Sequence, residues 1–108
     1  MAAAITRERL KAKMDAGEDF VLVDVLSAES YRERHLPRAI SVPLSTLGET
    51  AAQSLDRSKE IIVYCTSFQC MASRMAAQRL EDYGFKRVLA FEGGLADWEE
   101  AGFPFESA

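Results

Sequence analysis

The sequence has little of what metal centres, membranes and nucleic-acid surfaces require. It contains one histidine and two cysteines among 108 residues, whereas a structural zinc site normally takes four ligands, so no metal site is predicted. No apolar run approaches the roughly 18 residues that are needed to cross a bilayer. The net charge of −4 argues against nucleic acid or a membrane as a partner, because nucleic acid and anionic lipid both select basic surfaces.

The sequence does not indicate a targeting signal or a structural disulfide either. The first five residues lack the basic start and the long apolar stretch of a secretory signal, which predicts a cytoplasmic protein. In a reducing compartment, two cysteines are more often catalytic or redox-active than joined in a structural disulfide. The composition, with 48% hydrophobic residues, is globular and predicts a single domain over 1–108.

What the sequence does contain is a regular alternation of strand-like and helical segments. Apolar, β-branched runs predict strands, and apolar residues at helical spacing predict helices. The predicted strands cover 20–25, 39–42, 61–64 and 88–91, and the predicted helices cover about 7–15, 28–34, 45–55, 71–83 and 95–100. This order predicts an α/β fold with a small central, mostly parallel sheet of four to five strands and helices on both faces.

The most informative segment is 61–70, where a cysteine directly follows the carboxyl end of an apolar run. Ile61–Tyr64 predicts a buried strand, Cys65 follows it, and a helix begins directly after Cys70. Ligands of α/β folds bind beyond the carboxyl ends of the strands, and a helix N-terminus favours a thiolate over a thiol. We therefore predict that Cys65 is a nucleophile. The alternative is an inert core thiol, because free cysteine is often buried.

Five segments of the chain carry a family resemblance. They read FVLVDV at 20–25, YRERHLPRAISVP at 31–43, IVYC at 62–65, GFKRV at 84–88 and FEGGLADW at 91–98. In this order, from about Ile5 to Pro104, they resemble the single-domain rhodanese family of sulfurtransferases. The resemblance implies the rhodanese-like α/β fold.

The chain departs from the usual family pattern at several positions. Leu26 stands where the family usually has an arginine, and Arg38 stands where it has a glycine. The active-site loop has no glycine, Ala72 takes the place of the loop arginine, and Ser73 aligns with the family serine. With Cys70 five positions after the first cysteine, the sequence resembles a subgroup that has two cysteines in this loop.

The resemblance implies a sulfurtransferase that carries sulfane sulfur as a persulfide on Cys65 and passes it to a thiophilic acceptor, without a cofactor. The implied partner is a small sulfur donor, such as thiosulfate or a persulfide, or a sulfur-carrying protein. If the loop curls around the sulfur, the main-chain N–H groups of 66–70 would hold the charged sulfur. The predicted persulfide and substrate loop comprises Thr66, Ser67, Phe68, Gln69 and Met71.

Four further residues each have two interpretations. Cys70 is a candidate resolving thiol that could close a disulfide with Cys65, or it packs under the first helical turn. Arg74 and Arg38 are candidates for binding an anionic donor or ordering the loop, or they are solvated surface arginines. Asp24 could orient a loop by accepting N–H hydrogen bonds, or it lines the pocket. The rival functions are a two-cysteine redox switch and a non-catalytic binding module on the same fold.

The spacing around the cysteines excludes a cysteine-dependent phosphatase. Such a loop needs an arginine six positions after its nucleophile, because only the guanidinium fork clamps phosphate through two hydrogen bonds. The sixth residue after Cys65 is Met71, and the sixth after Cys70 is Ala76. Neither cysteine therefore has the required partner.

Overall fold

A computed structural model describes residues 3–108, except for the side chains at positions 49 and 51. Within this range the chain forms a five-stranded sheet in the order β1-β5-β4-β2-β3, and all neighbouring strands run parallel. The strands are β1 (Ala3–Ala4), β2 (Phe20–Asp24), β3 (Ile40–Ser41), β4 (Glu60–Tyr64) and β5 (Val88–Phe91). The first five residues, in which the sequence indicates no secretory signal, include residues 1 and 2, which lie outside the described range.

Helices cover both faces of this sheet. They are α1 (Arg7–Asp15), α2 (Ala28–Glu33), α3 (Glu49–Gln53), α4 (Ala72–Asp82) and α5 (Gly94–Glu100). Helices α3 and α4 bury Ala52, Ala76 and Leu80 in the core on one face. Helices α1 and α5 bury Leu10 and Trp98 on the other face, where Tyr31 of α2 also packs. The predicted α/β fold is therefore confirmed. No helix in the described range is long and apolar enough to span a membrane.

The starts of α1 and α2 follow directly from the sequence. Thr6 and Ser27 have extended backbones, and their hydroxyl oxygens accept hydrogen bonds from the N–H groups of Arg9 and Ser30, both at 3.2 Å. An N-cap of this kind contributes about 1 kcal/mol to helix stability. Both predicted helix starts are confirmed.

Two parts of the fold differ from the prediction. Strand β1 was not expected, because two alanines have neither the length nor the β-branched side chains of a recognisable strand. The helix predicted over 45–55 is interrupted: a 3₁₀ turn at Leu44–Thr46 precedes α3. The interruption falls at Leu47, whose backbone leaves the helical region and whose side chain is buried in the core.

The parallel sheet brings the carboxyl ends of its strands to one edge. Ile5 follows β1, Glu92 follows β5, Cys65 follows β4 and Val25 follows β2. This edge is where ligands of α/β folds bind. The topology therefore places Cys65 at the centre of the functional edge, between the ends of β5 and β2.

Candidate active site

Cys65 lies at the carboxyl end of β4 and has no exposed surface. Its side chain belongs to the core on the α4 face of the sheet. The loop that follows folds back over the strand end, because the Cys65 Sγ lies 3.5 Å from the carbonyl oxygen of Cys70. The predicted nucleophile therefore sits beneath the loop and not on an open surface.

The first turn of α5 holds the backbone of this cysteine. The N–H of Leu95 donates to the carbonyl oxygen of Cys65 at 3.0 Å, and the N–H of Ala96 donates to that of Thr66 at 2.8 Å. Gly94 makes this approach possible. Its φ is +60°, and a Cβ added there would stand 2.8 Å from the Cys65 carbonyl carbon. Only glycine tolerates both conditions without strain.

The surroundings of Cys65 favour a neutral thiol in the resting protein. Burial raises the pKa of Cys65, and the neighbouring Cys70 thiol raises it further. The hydroxyl and the N–H of Ser73 act in the opposite direction. The Ser73 hydroxyl is fully buried and has no hydrogen-bond partner among the described residues. It is therefore available as a donor to a charged sulfur on Cys65, whose pKa it lowers.

The surroundings favour the thiolate form more at Cys70, which is partly exposed, than at Cys65. Burial acts to raise the pKa of Cys70, but the Cys65 thiol, the N–H groups of Thr66 and Ala72, and the Thr66 hydroxyl together hold it below its ordinary value. The N–H groups of 66–70 were expected to hold the Cys65 sulfur. The N–H of Thr66 acts on Cys70, whereas the N–H that acts on Cys65 is that of Ser73.

The other loop residues lie at the surface above the two sulfurs. The Ser67 hydroxyl lies 3.0 Å from the Gln69 side-chain oxygen, and the N–H of Cys70 donates to the Ser67 carbonyl at 3.0 Å, which closes a tight turn. Phe68 and Met71 are 56% and 54% exposed. These two apolar side chains therefore flank the solvent side of the loop.

Arg74 connects this loop to the neighbouring strand end. Its guanidinium donates to the Phe68 carbonyl oxygen at 3.1 Å, contacts the Met71 sulfur at 2.9 Å, and forms an ion pair with Glu92 at 3.2 Å. These contacts are those of a residue that orders the loop. The ion pair with Glu92 also compensates the positive charge of Arg74, so this charge is not free to bind an anionic donor.

Arg38 does not belong to this site. Its backbone has a φ of +73°, and its guanidinium donates to the Phe20 carbonyl at 2.9 Å while lying 4.0 Å from the centre of the Phe20 ring. Phe20 begins β2, so Arg38 lies at the amino edge of the sheet, opposite the cysteines. The candidate role of Arg38 in donor binding or loop ordering is therefore corrected to a packing role.

Asp24 lies at the functional edge but within a buried hydrogen-bond network. One carboxylate oxygen accepts the N–H of Leu26 at 2.9 Å, and the other accepts the Tyr64 hydroxyl at 2.7 Å. The Tyr64 oxygen in turn accepts the N–H of Leu36 at 3.1 Å. Burial raises the pKa of Asp24 despite the hydrogen bonds from Tyr64 and Leu26 and the nearby charge of His35, which lower it. Asp24 therefore orients the loop after β2 directly, through the Leu26 N–H, and the segment at Leu36 only through the Tyr64 hydroxyl.

Sequence reasoning missed Gly94 and Tyr64 as positioning residues. In the sequence, Gly93–Gly94 indicates a tight turn between a strand and a helix, but a glycine after a strand also signals a close backbone approach. Tyr64 was interpreted as part of an apolar run. A tyrosine inside a fully buried strand carries a hydroxyl that needs a partner, and this is the signal that could have revealed the network.

A cavity of about 420 Å³ adjoins the cysteine loop. Phe68 forms one wall, and the ends of β1 and β5, the first turn of α1 and helix α5 form the others. Four carboxylates and one arginine line the cavity: Glu8, Glu92, Asp97, Glu100 and Arg7. The cavity is therefore large enough for a small molecule or a peptide segment, and its lining carries more negative than positive charge.

Comparisons with known proteins agree with this geometry. The family model of the rhodanese-like domain matches residues 6–101. The putative sulfurtransferase YtwF of Bacillus subtilis (strain 168) is 34% identical over 95 residues, which cover 88% of this chain and 88% of YtwF. The thiosulfate sulfurtransferase GlpE of Coxiella burnetii is 33% identical over 81 residues, which cover 75% of this chain and 73% of GlpE.

Solved structures give the same result. The crystal structure of the BH2092 protein from Bacillus halodurans is similar with a TM-score of 0.92 and 32% sequence identity, covering 98% of this chain and 77% of that one. Against two longer curated relatives, this chain spans about half of their length, 44% and 49%. Because the family model covers most of the residues and two relatives exceed 30% identity over most of their length, the chain belongs to the rhodanese family.

Proposed function

We propose that this domain carries sulfane sulfur as a persulfide on Cys65 and delivers it to a thiophilic acceptor. A sulfur-transfer role is supported by rhodanese relatives that are named sulfurtransferases or a sulfur carrier. The observation that carries the proposal is the placement of Cys65, which ends a central strand at the functional edge beneath a loop that bears a second thiol.

The proposed reaction takes place at Cys65. Cys65 loses its proton to solvent and attacks the outer sulfur of the donor as a thiolate. With thiosulfate as the donor, sulfite leaves and the outer sulfur stays on Cys65, which is nucleophilic catalysis with a covalent intermediate. The N–H and the free hydroxyl of Ser73 stabilise the charged sulfur. An acceptor thiolate then takes the outer sulfur and restores Cys65.

The charges at the site favour one class of donor. The cavity beside the loop carries an excess of carboxylates, and Arg74 is already paired with Glu92. An anionic donor is repelled by such a lining. The preferred donor is therefore a persulfide of low negative charge or a persulfide presented by a protein, and thiosulfate serves as a slower substitute.

A pair of single-thiol variants tests where the sulfur is held. After anaerobic incubation with excess thiosulfate and removal of the donor, Cys70→Ser is expected to gain one sulfur atom in intact mass, because it retains Cys65. Cys65→Ser, which retains only the more exposed thiol, is expected to gain none. A gain in Cys65→Ser without one in Cys70→Ser would place the sulfur on the wrong cysteine and overturn the proposal.

The loop contacts of Arg74 yield a second prediction. Arg74→Ala is expected to slow sulfur loading by up to about 100-fold, because misplacing a reacting group by roughly 1 Å can cost that much. The measurement is the initial rate of sulfur gain with thiosulfate and, separately, with an alkyl persulfide, which carries less negative charge than thiosulfate. Equal slowing with both donors is expected of a residue that orders the loop.

The matched control is Arg34→Ala. Arg34 also forms an ion pair, with Glu99 at 3.1 Å, but this pair lies at the end of α5 remote from the cysteine loop. Its loss is expected to leave the loading rate near that of the unmodified protein. If Arg74→Ala slowed only the reaction with thiosulfate, Arg74 would be an anion-binding residue and the loop-ordering role would be wrong.

A further inference from the structure

The two thiols of the loop differ in the access that an outside molecule has to them. Cys65 is 0% exposed, whereas Cys70 is partly exposed. The Cys65 Sγ lies 3.5 Å from the Cys70 carbonyl oxygen, so the nearest second thiol to Cys65 belongs to the residue that covers it. In a Cys65 persulfide, the inner sulfur would occupy this buried position, and the outer sulfur would extend away from it.

We propose that Cys70 resolves the Cys65 persulfide by attacking its buried inner sulfur, which releases the outer sulfur as sulfide and leaves a Cys65–Cys70 disulfide. This inference rests on the proposed function, since it requires a persulfide on Cys65. It adds a second outcome to the reaction. An outside acceptor takes the outer sulfur as sulfane sulfur, and Cys70 converts it to sulfide when no acceptor arrives.

The step balances without an outside oxidant. The Cys70 thiol gives its proton to the outer sulfur, and its sulfur forms a bond to the Cys65 Sγ while the bond between the inner and outer sulfurs breaks. The products are a disulfide and hydrosulfide, HS⁻. The sulfane sulfur is reduced by two electrons, and the two cysteine sulfurs together lose two. A dithiol reductant, such as a thioredoxin-type protein or dithiothreitol, would return the disulfide to two thiols by exchange.

The position of Cys70 selects the inner sulfur as its target. Attack on the outer sulfur would only move the persulfide from one cysteine to the other. The Cys65 Sγ lies 3.5 Å from the Cys70 carbonyl oxygen. The turn that joins the Cys70 N–H to the Ser67 carbonyl keeps the loop folded back. The residue that carries the resolving thiol is thus already placed against the atom with which that thiol would bond.

Burial explains why only an internal thiol would do this. An outside thiol can reach the outer sulfur, but the inner sulfur lies in the core between the sheet and α4. The Cys65 side chain has no exposed surface, and the loop that carries Cys70 folds back over it, which screens the inner sulfur from charged thiolates in solution. Both the formation of the buried disulfide and its reduction would therefore depend on the position of the loop.

The test follows the fate of a labelled sulfur in the full chain. Reduced protein is incubated anaerobically with excess thiosulfate carrying ³⁴S at the outer position, and the donor is removed before a timed chase without an acceptor. Intact mass, peptide mapping after alkylation, and captured sulfide are then measured in the unmodified protein, Cys70→Ser and Cys65→Ser. The unmodified protein is expected to lose its added sulfur, to end two hydrogens lighter than the reduced chain, and to release one equivalent of labelled sulfide.

The variants separate this inference from the proposed function. Cys70→Ser is expected to keep its added sulfur through the same chase and to release no sulfide, and Cys65→Ser is expected to take up none. If Cys70→Ser is loaded and the unmodified protein holds its sulfur equally long, the resolving step is wrong while the persulfide proposal stands. If Cys70→Ser takes up no sulfur, both are overturned. A disulfide that forms without labelled sulfide would indicate simple oxidation, which also contradicts the inference.

Discussion

Gly94→Ala is expected to destabilise the domain by about 2–5 kcal/mol, a large part of the roughly 5–15 kcal/mol that holds a domain of this kind folded. A side chain at a positive φ costs about 1–2 kcal/mol, and φ is +60° at Gly94. Overpacking against neighbours that cannot move away adds about 1–3 kcal/mol. The neighbours here are the backbone atoms of Cys65 and Thr66. Urea unfolding followed by circular dichroism measures the loss.

Gly102→Ala provides the matched control for this substitution. Gly102 has a φ of +75°, but a Cβ at this position would meet no atom within 4 Å. Its replacement is therefore expected to cost only the backbone term of about 1–2 kcal/mol. If the two variants lost equal stability, the close approach of α5 to Cys65 would contribute nothing, and the role assigned to Gly94 would be wrong.

The same variant links the fold to the chemistry. The first turn of α5 supplies two N–H donors to the carbonyl oxygens of Cys65 and Thr66. A displaced turn would release the peptide that carries the cysteine. Under conditions where Gly94→Ala remains folded, its sulfur loading is therefore expected to be slower than that of Gly102→Ala. A slower loading rate in Gly94→Ala than in Gly102→Ala would show that the close packing at Gly94 positions the sulfur of Cys65.

The sequence predicts the position of the site better than its internal arrangement. Cys65 could be placed because Ile61–Tyr64 is a continuous apolar run, and such a run in a helix–strand alternation indicates a buried parallel strand. The carboxyl end of that strand then follows from topology alone. No comparable pattern marks Ala3–Ala4 as a strand, since its pairing with β5 is decided by tertiary contacts.

The arrangement within the loop depends on turns that the sequence does not specify. The Thr66 N–H lowers the pKa of Cys70, whereas the N–H that lowers the pKa of Cys65 is that of Ser73, and this follows from the way the loop folds back. Arg38 illustrates the same limit. Its position in a family motif suggested a site residue, but a left-handed backbone and stacking on Phe20 carry its side chain to the opposite edge. Local conformation at single residues decides such outcomes.

The hydroxyl of Tyr64 is expected to contribute more to stability than an ordinary hydrogen bond. Tyr64→Phe leaves two buried groups without their partners: a carboxylate oxygen of Asp24 and the N–H of Leu36. An unsatisfied buried polar group costs about 1–3 kcal/mol, so the variant is expected to lose about 2–6 kcal/mol at neutral pH. Tyr31→Phe is the matched control, because it removes one half-buried hydrogen bond to the Ala39 carbonyl, and about 1 kcal/mol is expected.

The loss in Tyr64→Phe is also expected to depend on pH. Burial already raises the pKa of Asp24, while the hydrogen bond from Tyr64 lowers it, so the variant raises this pKa further. A carboxyl whose pKa is higher in the folded state contributes its full stability below the unfolded value of about 3.9, and this contribution is lost as pH rises through the folded value. Urea unfolding at several pH values is therefore expected to give a stability difference from the unmodified protein that is smallest near pH 4, where the unpartnered N–H of Leu36 still contributes, and that grows toward neutral pH. A difference that stayed constant over this range would show that Asp24 does not depend on the tyrosine hydroxyl for its charge.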